Sequence, residues 1–359
     1  MEEDWVMLER FVFRRDKPLP ENETTAASST CIGIPFRVSL GLVAPPSTSR
    51  FYLEWPGGPD PDATVPCHLV AAHRGCVLFR LTFIVRTKTR PPDLIFPDDY
   101  YVYRPATGDL KRFPTCIPVA AADEEKEMLE QKQDDPISSD EGGGEFIMAE
   151  LRLDRRNNRK KVSAEVSFLH SGTCEWVHMP GLPVHCNKNE YDSTTLHCFC
   201  SQSAVPFGGG LCWVDNRTGI IIGKAMLEQM TPNLSYISFP RMNPTRIGDD
   251  LRSVCATDGG NSLKFIDIVV NNQPRSTGFT ILVYKLITAE DGCMKWDKET
   301  SMTSTEMWEL EAPGRIPHEA VPMFPLMSLD EPHIVHFQLA ECTDYIDTVT
   351  LVSIDMSAW

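Results

Sequence analysis

Short apolar runs and alternation of apolar with polar residues dominate the chain and predict β-strands throughout. Such alternation places the apolar side chains on one face of a strand, as in a half-buried sheet. Gly, Pro, Asn and Asp separate the runs, and the 28 prolines disfavour long helices. The predicted strands are Val6–Phe13, Phe36–Leu42, Phe51–Trp55, His68–Ala72, Val77–Val85, Tyr100–Tyr103, Phe146–Leu153, Val162–Leu169, Leu211–Val214, Leu234–Phe239, Lys264–Val270, Phe279–Leu286, Ile334–Leu339 and Thr348–Ile354.

One segment, Ala120–Gln133, favours a short helix because it has early acidic residues followed by spaced Leu and Met. It lies within a charged stretch: ten acidic residues stand between Asp123 and Glu145. A polar, Gly-rich run of this kind buries too little apolar surface to offset its ordering entropy. We interpret residues 122–144 as an acidic, mobile insert in one sheet, and contact with a basic partner is the alternative role. We expect limited proteolysis to cut first within Glu124–Gly143.

The stretch Leu211–Pro240 carries the most information about the type of protein. It predicts a strand at Leu211–Asp215, a tight turn at Asn216–Gly219, a second strand at Ile220–Gly223 and a third at Leu234–Phe239.

This stretch resembles the hallmark of a plant family expanded in grasses, the domain of unknown function 1618. Three further elements resemble that family in the same order along the chain, at Asp4–Leu8, Pro45–Pro56 and Phe324–Pro332. The resemblance is most specific over residues 211–359, and it implies a plant intracellular setting without an agreed activity. The hallmark residues are Leu211, Cys212, Trp213, Val214, Asp215, Gly219, Ile220, Pro232, Leu234, Tyr236, Ile237 and Pro240.

Two segments repeat a strand–Thr-Gly–strand form and favour a repeat architecture. They are Tyr101–Gly108, followed by Phe113, and Val214–Gly219, followed by Phe239. These echoes resemble the blades of plant F-box-associated and kelch-type propellers. About 18 to 21 strand candidates at four strands per blade predict roughly five to six blades. We therefore predict an all-β, propeller-like single domain over residues 1–359, with a β-sandwich pair as the alternative.

Composition and charge narrow the possible partners and compartments. The chain has 359 residues, is 42% hydrophobic and contains no apolar run long enough for a membrane-spanning helix. Its first residues are charged, unlike a secretory signal, so we expect the twelve cysteines to be reduced, mostly as small core residues, in the cytosol or nucleus. The formal charge of −16 disfavours binding to nucleic acid, which needs a positive field.

Although the chain is negatively charged overall, the stretch Arg152–Lys161 is locally basic. It lies between two predicted strands and has Asn157 and Asn158 at its centre, which suit a turn. We interpret it as a solvated hairpin turn.

One cluster contains metal-ligand residue types. Alternate residues of a strand share a face, so Cys198 and Cys200 could bind zinc together. Structural zinc sites usually combine two close pairs, and a single C-x-C motif lacks the second pair. We therefore predict no zinc, no other cofactor and no structural disulfide. We interpret Phe199 with the following Ala204, Val205 and Pro206 as a buried edge strand, in which cysteine is a small apolar residue. The cluster of metal-ligand types comprises His185, Cys186, His197, Cys198, Cys200 and Cys212.

The linear motifs of known catalytic classes are missing from the sequence. There is no G-x-S-x-G elbow and no H-E-x-x-H motif, and His170–Gly172 has no such framing. The glycine runs Gly142–Gly144 and Gly208–Gly210 lack the setting of a phosphate loop and are interpreted as loops. We therefore assign no catalytic residue.

A polar–aromatic patch is predicted where aspartates precede closely spaced tyrosines. We expect a strand whose tyrosines alternate between core and surface, and a binding contact on a propeller face is the alternative. The patch comprises Asp98, Asp99, Tyr100, Tyr101 and Tyr103.

These observations favour a noncatalytic scaffold that presents loops to a protein partner, away from nucleic acid and membranes. The alternative is an enzyme, a hydrolase or lyase, whose site is assembled from loops without a linear motif. A substrate receptor for ubiquitin ligation would need an N-terminal F-box of about three helices, and residues 1–50 begin with a predicted strand instead.

Overall fold

The protein is described here by a computed structural model, which contains 24 strands and two α-helices over the residues that it describes. These residues are 6–15, 21–43, 48–59, 67–73, 75–83, 85–86, 94–95, 97–116, 147–154, 162–170, 172–186, 190–224, 233–240, 250–273, 276–290, 292–310, 320–328, 331–342 and 346–357.

Most of the described elements are strands, as the alternation predicts. The helices are α1 (Glu190–Cys198) and α2 (Ser304–Glu309). The strands are β1 (Met7–Arg15), β2 (Ala26–Ser29), β3 (Pro35–Gly41), β4 (Thr48–Glu54), β5 (Cys67–His73), β6 (Cys76–Thr82), β7 (Val85–Arg86), β8 (Leu94–Ile95), β9 (Asp98–Arg104), β10 (Asp109–Arg112), β11 (Ile147–Asp154), β12 (Ser163–His170), β13 (Trp176–Cys186), β14 (Ser203–Phe207), β15 (Gly210–Asp215), β16 (Gly219–Lys224), β17 (Asn233–Ser238), β18 (Arg252–Thr257), β19 (Ser262–Gln273), β20 (Ser276–Thr288), β21 (Met294–Thr303), β22 (Met323–Met327), β23 (Ile334–Cys342) and β24 (Ile346–Asp355).

The strands form several sheets, which confirms the all-β prediction. Three sheets have the orders β1-β4-β3-β2, β10-β9-β6-β5 and β18-β19-β20-β21. A seven-stranded sheet has the order β11-β12-β13-β17-β16-β15-β14, and smaller sheets contain β22-β23-β24 and β7-β8. Most neighbours are antiparallel; β1 with β4 and β13 with β17 are parallel pairs.

The helix prediction was wrong in one respect. The sequence favoured a single helix at Ala120–Gln133, yet helices occur at α1 and α2. Helix α2 has a capping box in which Thr303 and Glu306 bond each other's backbone N–H groups. The predicted helix, the acidic insert 122–144 and the tip of the basic stretch, residues 155–161, lie outside the described residues.

The chain divides into two compact units. The first contains residues 1–150 and 166–180, and the second contains residues 151–165 and 181–359. The prediction of a single domain over residues 1–359 stays a prediction. No helix within the described residues is long and apolar enough to cross a membrane.

In the first unit, the apolar faces of two sheets pack together. One is the β1–β4 sheet, and the other contains β5, β6, β9 and β10 and is called the β5–β10 sheet. Phe79 stacks on Tyr101 with ring centroids 5.1 Å apart, and Phe51 lies 5.1 Å from Phe79. Trp55 is fully buried in the same core. The opposite face of the β5–β10 sheet is also buried, against a second apolar cluster that includes Met148.

In the second unit, apolar side chains cover both sides of the β18–β21 sheet. One core includes Ile281, Val335 and Phe337. The other joins this sheet to the hairpin β15–β16, and in it Phe239 stacks on Phe265 with centroids 3.9 Å apart. This second core contains the hallmark residues Cys212, Val214, Ile220 and Ile237.

The hairpin β15–β16 depends on a glycine. A Cβ atom at Gly219 would lie 2.3 Å from the Ile237 carbonyl oxygen on the neighbouring strand β17, closer than real atoms approach. We expect Gly219→Ala to destabilise the protein by at least about 1 kcal/mol, because a strand must shift to make room. Urea unfolding followed by circular dichroism measures this change. Gly209→Ala is the control for a glycine with positive φ (74°) and open space, and an equal cost for both would contradict the clash.

Candidate functional site

A dense group of ionisable side chains lies on one face of the β5–β10 sheet. Strands β6 and β9 are antiparallel neighbours, and Arg80 lies opposite Tyr100 in their register. Since alternate residues of a strand share a face, Asp98 lies on the same face as Tyr100. Glu150, from β11, contacts both Tyr100 and Arg80. We call Arg80, Asp98, Tyr100 and Glu150 the polar cluster.

Hydrogen bonds and ion pairs between its own members hold the polar cluster together. The Tyr100 hydroxyl donates to a Glu150 carboxylate oxygen. Arg80 Nη1 lies 3.7 Å from Glu150 Oε1, and Arg80 Nε lies 3.7 Å from Asp98 Oδ1. Thr82 Oγ1 donates to Asp98 Oδ1 at 2.5 Å. One guanidinium therefore lies between two carboxylates.

Burial and neighbouring charges shift the pKa values of Tyr100 and Arg80 in the polar cluster. Burial raises the pKa of Tyr100 well above the ordinary value, and the negative charge of Glu150 acts in the same direction. Burial disfavours the charged form of Arg80, but neighbouring Asp98, Tyr100 and Glu150 outweigh it and raise the pKa of the guanidinium. At neutral pH, Tyr100 is therefore a hydrogen-bond donor and Arg80 is a cation.

Strands β12 and β13 place a tryptophan and a serine–histidine pair beside the polar cluster. The Trp176 ring centroid lies 5.7 Å from that of Tyr100, and Trp176 Nε1 donates to Pro114 O at 2.7 Å. His178 stacks on Trp176 at 6.4 Å, and its Nδ1 lies 2.8 Å from Ser167 Oγ. A serine nucleophile must be reachable, yet Ser167 is only 2% exposed. As placed, this pair links two strands.

Asp99 lies on the opposite face of β9 and anchors the chain around Cys31. Its carboxylate accepts from Cys31 N at 2.6 Å and from Thr115 Oγ1 at 2.6 Å, and the Tyr101 hydroxyl lies 3.3 Å away. Burial raises the pKa of Asp99 although these hydrogen bonds lower it. Burial and the nearby Asp99 charge raise the pKa of the Cys31 thiol to about 12. This carboxyl group holds two loops against a strand.

The predicted alternation of tyrosines between core and surface was wrong. Tyr101 and Tyr103 face the core between the two sheets of the first unit, whereas Tyr100 faces the second apolar cluster. All three tyrosines, together with Asp98 and Asp99, are buried. Both faces of β9 are covered, so these residues do not form a surface contact.

In the hallmark stretch, Asp215 closes the turn between β15 and β16. Its carboxylate accepts from Arg217 N at 2.9 Å and from Thr218 Oγ1 at 2.8 Å. It also accepts from Cys200 N at 2.8 Å. Asp215 is 2% exposed, and these three donors compensate its removal from water. An aspartate is the natural residue here because its side chain bonds the backbone two residues later.

A buried ion pair joins this turn to the β18–β21 sheet. Arg252 Nε donates to Asp267 Oδ1 at 2.8 Å, and Arg252 Nη2 donates to Asp267 Oδ2 at 3.1 Å. Arg252 and Asp267 are 7% and 2% exposed. Arg252 Nη1 also donates to Asn216 O at 3.4 Å and Arg217 O at 3.5 Å. The guanidinium thus bonds both a carboxylate and the carbonyl groups of the turn.

Sequence reasoning missed this ion pair, although one signal was present. Asp267 interrupts the apolar run Phe265–Val270, and a charge inside such a run must find a partner when it is buried. Arg252 is 15 residues away and meets Asp267 through the register of β18 with β19.

The candidate zinc ligands do not come together as a site. Cys198 ends helix α1 and Cys200 follows it, and both are exposed, so the predicted edge strand does not include these cysteines. The edge strand is β14, which contains Ala204, Val205 and Pro206. Cys186 ends strand β13, and Cys212 is buried in β15. Within the described part of the chain, no group of three or more His, Cys, Asp or Glu side chains is arranged to hold a metal ion.

The glycine run after β14 is a loop, as predicted. Gly208 and Gly209 have positive φ angles of 57° and 74° and form the two-residue turn of the hairpin β14–β15. His170 Nδ1 accepts from Gly172 N at 3.3 Å. The run Gly142–Gly144 lies outside the described residues.

Thiol reactivity is expected to follow burial. Cys198 and Cys200 should react with iodoacetamide in the folded protein, whereas Cys67 and Cys212 should react only after unfolding. Burial raises the pKa of the Cys67 and Cys212 thiols, and the thiolate is the reactive form. Peptide mapping by mass spectrometry measures the rates. All twelve thiols should react after denaturation without a reductant, and labelling of Cys212 as fast as Cys198 in the folded protein would contradict the prediction.

Together, these contacts define an all-β protein with several sheets whose buried polar side chains hold its turns and strands. The model of one protein family, described as a protein of unknown function (DUF1618), matches residues 213–336. This match confirms the family assignment predicted from Leu211–Pro240, and the segment belongs to that family. It contains Asp215 and the Arg252–Asp267 pair. No curated protein matches the chain significantly.

Proposed function

We propose that the protein is a noncatalytic scaffold for protein–protein interaction, acting in the cytosol or nucleus. The observation that carries this proposal is that the buried charged side chains make hydrogen bonds that hold the fold together. Asp99, Asp215 and the Arg252–Asp267 pair all bond backbone groups of neighbouring turns or strands. The charged side chains that could act in catalysis therefore stabilise the fold instead. Exposed segments of the chain can then contact a partner, because function depends on the surface that a fold presents.

We also propose that the sheets are the blades of a propeller-like fold. Supporting this, three of the sheets have four strands that are close in sequence: β1–β4, then β5, β6, β9 and β10, and then β18–β21. Four-stranded sheets built from neighbouring strands are the unit of a propeller blade. A β-sandwich pair is the alternative. An experimental structure with the sheets arranged around one axis would support the propeller, and face-to-face sheets would support the sandwich.

The alternative function is hydrolysis or lyase chemistry around the polar cluster. It is favoured by the 2.8 Å contact of Ser167 Oγ with His178 Nδ1 beside Glu150 and Tyr100. Such a site would need local opening to bring Ser167 to a substrate.

A peptide display library and a substrate panel separate the two functions. The scaffold is expected to enrich a reproducible set of peptides, and Ser167→Ala should bind them as well as the wild type does. The enzyme hypothesis predicts turnover of an ester, peptide or glycoside substrate. If Ser167→Ala or Glu150→Gln abolished that turnover while circular dichroism showed both variants folded, the scaffold hypothesis would be wrong and the protein would be an enzyme.

A further inference from the structure

Two buried hydroxyl groups at one end of the β18–β19 pair have no hydrogen-bond partner among the described residues. Thr257 ends β18 and Ser262 begins β19, and the two residues lie directly opposite each other in the strand register. They are 1% and 7% exposed. Neither Thr257 Oγ1 nor Ser262 Oγ forms a hydrogen bond with a described protein atom. A buried hydroxyl without a partner destabilises a protein, so such groups are usually bonded to protein or to ordered water.

The turn between the two strands does not supply these missing partners. Thr257 stands where a side chain can cap the turn, yet it makes no capping bond. Asn261 N and Asn261 Nδ2 both donate to Asp258 O, at 3.2 and 2.9 Å. Gly260 O accepts from Gly208 N at 2.9 Å, which ties the turn to the hairpin β14–β15. These polar groups of the turn bond one another or that hairpin rather than the two hydroxyls.

Both hydroxyls lie on the side of the sheet to which the connection between β22 and β23 is attached. Alternate residues of a strand share a face, so Lys264 lies beside Ser262 and Cys255 lies beside Thr257. Lys264 Nζ donates to Pro332 O at 3.0 Å, and Cys255 Sγ accepts from a backbone N–H of β22 at 3.4 Å. These two contacts hold the ends of the connection against the sheet next to the hydroxyls.

The surroundings of the two hydroxyls suit a water molecule. Lys264, the neighbour of Ser262, also pairs with Glu299 at 2.8 Å, so this end of the sheet is polar. Buried water occupies sites that are polar and offer two to four partners. Opposite residues of an antiparallel pair have Cβ atoms about 4.5–5.5 Å apart. One water molecule, at about 2.7–2.8 Å from each hydroxyl oxygen, spans such a gap.

We propose that a single buried water molecule bridges Thr257 Oγ1 and Ser262 Oγ and so links the ends of β18 and β19. Each hydroxyl can both donate and accept, so the water donates to one and accepts from the other. Two neutral hydroxyl groups are too few ligands for a calcium ion, which takes six to eight oxygens. The site lies wholly within residues 213–336, the segment that belongs to the family.

The first test counts long-lived internal water molecules by ¹⁷O magnetic relaxation dispersion. Thr257→Val and Ser262→Ala remove the hydroxyls and keep nearly the same shape. The double variant is expected to hold one long-lived water fewer than the wild type. Thr300→Val is the matched control, because Thr300 Oγ1 is also buried without a partner but lies opposite Val283, which has no hydroxyl. It should leave the count unchanged, and equal counts in the wild type and the double variant would overturn the proposal.

The second test is a double-mutant cycle in urea unfolding. Each single variant should lower the equilibrium constant for folding about fivefold or more, because the water and the remaining hydroxyl each lose a partner. The double variant should lower it by clearly less than the product of the two single effects, since the two sites share one water. Single variants that each stabilise the protein, with effects that multiply, would indicate two independent dry hydroxyls and would overturn the proposal. Coupled effects with an unchanged water count would indicate a direct bond between the hydroxyls and would also overturn it.

Discussion

Replacing Asp267 with alanine is expected to destabilise the protein by about 3–5 kcal/mol, because it leaves the buried Arg252 charge without its carboxylate partner. The two side chains form two hydrogen bonds, at 2.8 and 3.1 Å, and both residues are almost fully buried. The carbonyl oxygens of Asn216 and Arg217 remain as acceptors, but at 3.4 and 3.5 Å they compensate only part of the charge.

Urea unfolding followed by circular dichroism measures this effect. Arg252→Met combined with Asp267→Leu is expected to be less destabilised than Asp267→Ala alone, since the double variant leaves no buried charge uncompensated. The partly exposed pair Arg104–Asp109, with its atoms 2.7 Å apart, is the matched control, and Asp109→Ala should cost about 0–1 kcal/mol. Equal losses for Asp267→Ala and Asp109→Ala would contradict a role for burial.

The strands were largely predictable because apolar and polar residues alternate along them in the sequence. Strand β6 has buried residues at every second position, and its partner β9 is buried on both faces. Alternation shows that a strand exists, but it cannot show that its second face is also covered. That is why the tyrosines of β9 were expected at the surface. The covering residues, Met148 and Trp176, are distant in sequence from β9 and meet it only through folding.

The helices were harder to predict because neither has a periodic apolar face. Helix α1 contains two adjacent threonines, which disfavour helix, and Leu196 is buried. Helix α2 has only six residues, too few for periodicity, although its capping box can be read from Thr303 and Glu306. Tertiary contacts with neighbouring strands, rather than propensity, stabilise such short helices.

The polar contacts of the candidate site could be predicted only where their partners are close in sequence. Asp215 bonds the backbone of a turn two residues ahead, which a single sequence can suggest. Asp98 and Asp99 are adjacent, yet they serve different networks because successive residues of a strand point to opposite faces. The partner Glu150 is 50 residues from Tyr100, and only the fold brings them together.

The second large effect is expected at Trp213. It lies in β15, which is hydrogen-bonded to strand β14 on one side and strand β16 on the other. Trp213 is opposite Ala204 on β14 and Ile221 on β16, and it is 1% exposed. The structure therefore confirms the interior position that the hallmark stretch predicted. We expect Trp213→Ala to cost about 3–5 kcal/mol, because the large cavity forfeits both the burial of the ring and its contacts.

The expected loss at Trp213 is one of packing rather than of hydrogen bonding, and two variants separate these terms. The indole Nε1 has no hydrogen-bond partner among the described residues. Trp213→Phe removes this buried N–H group and keeps an aromatic ring, so it should cost clearly less than Trp213→Ala in urea unfolding followed by circular dichroism. An unchanged midpoint for Trp213→Ala would overturn the placement of Trp213. Equal losses for both variants would show that the shape of the indole, rather than filled volume, holds this face of the sheet together.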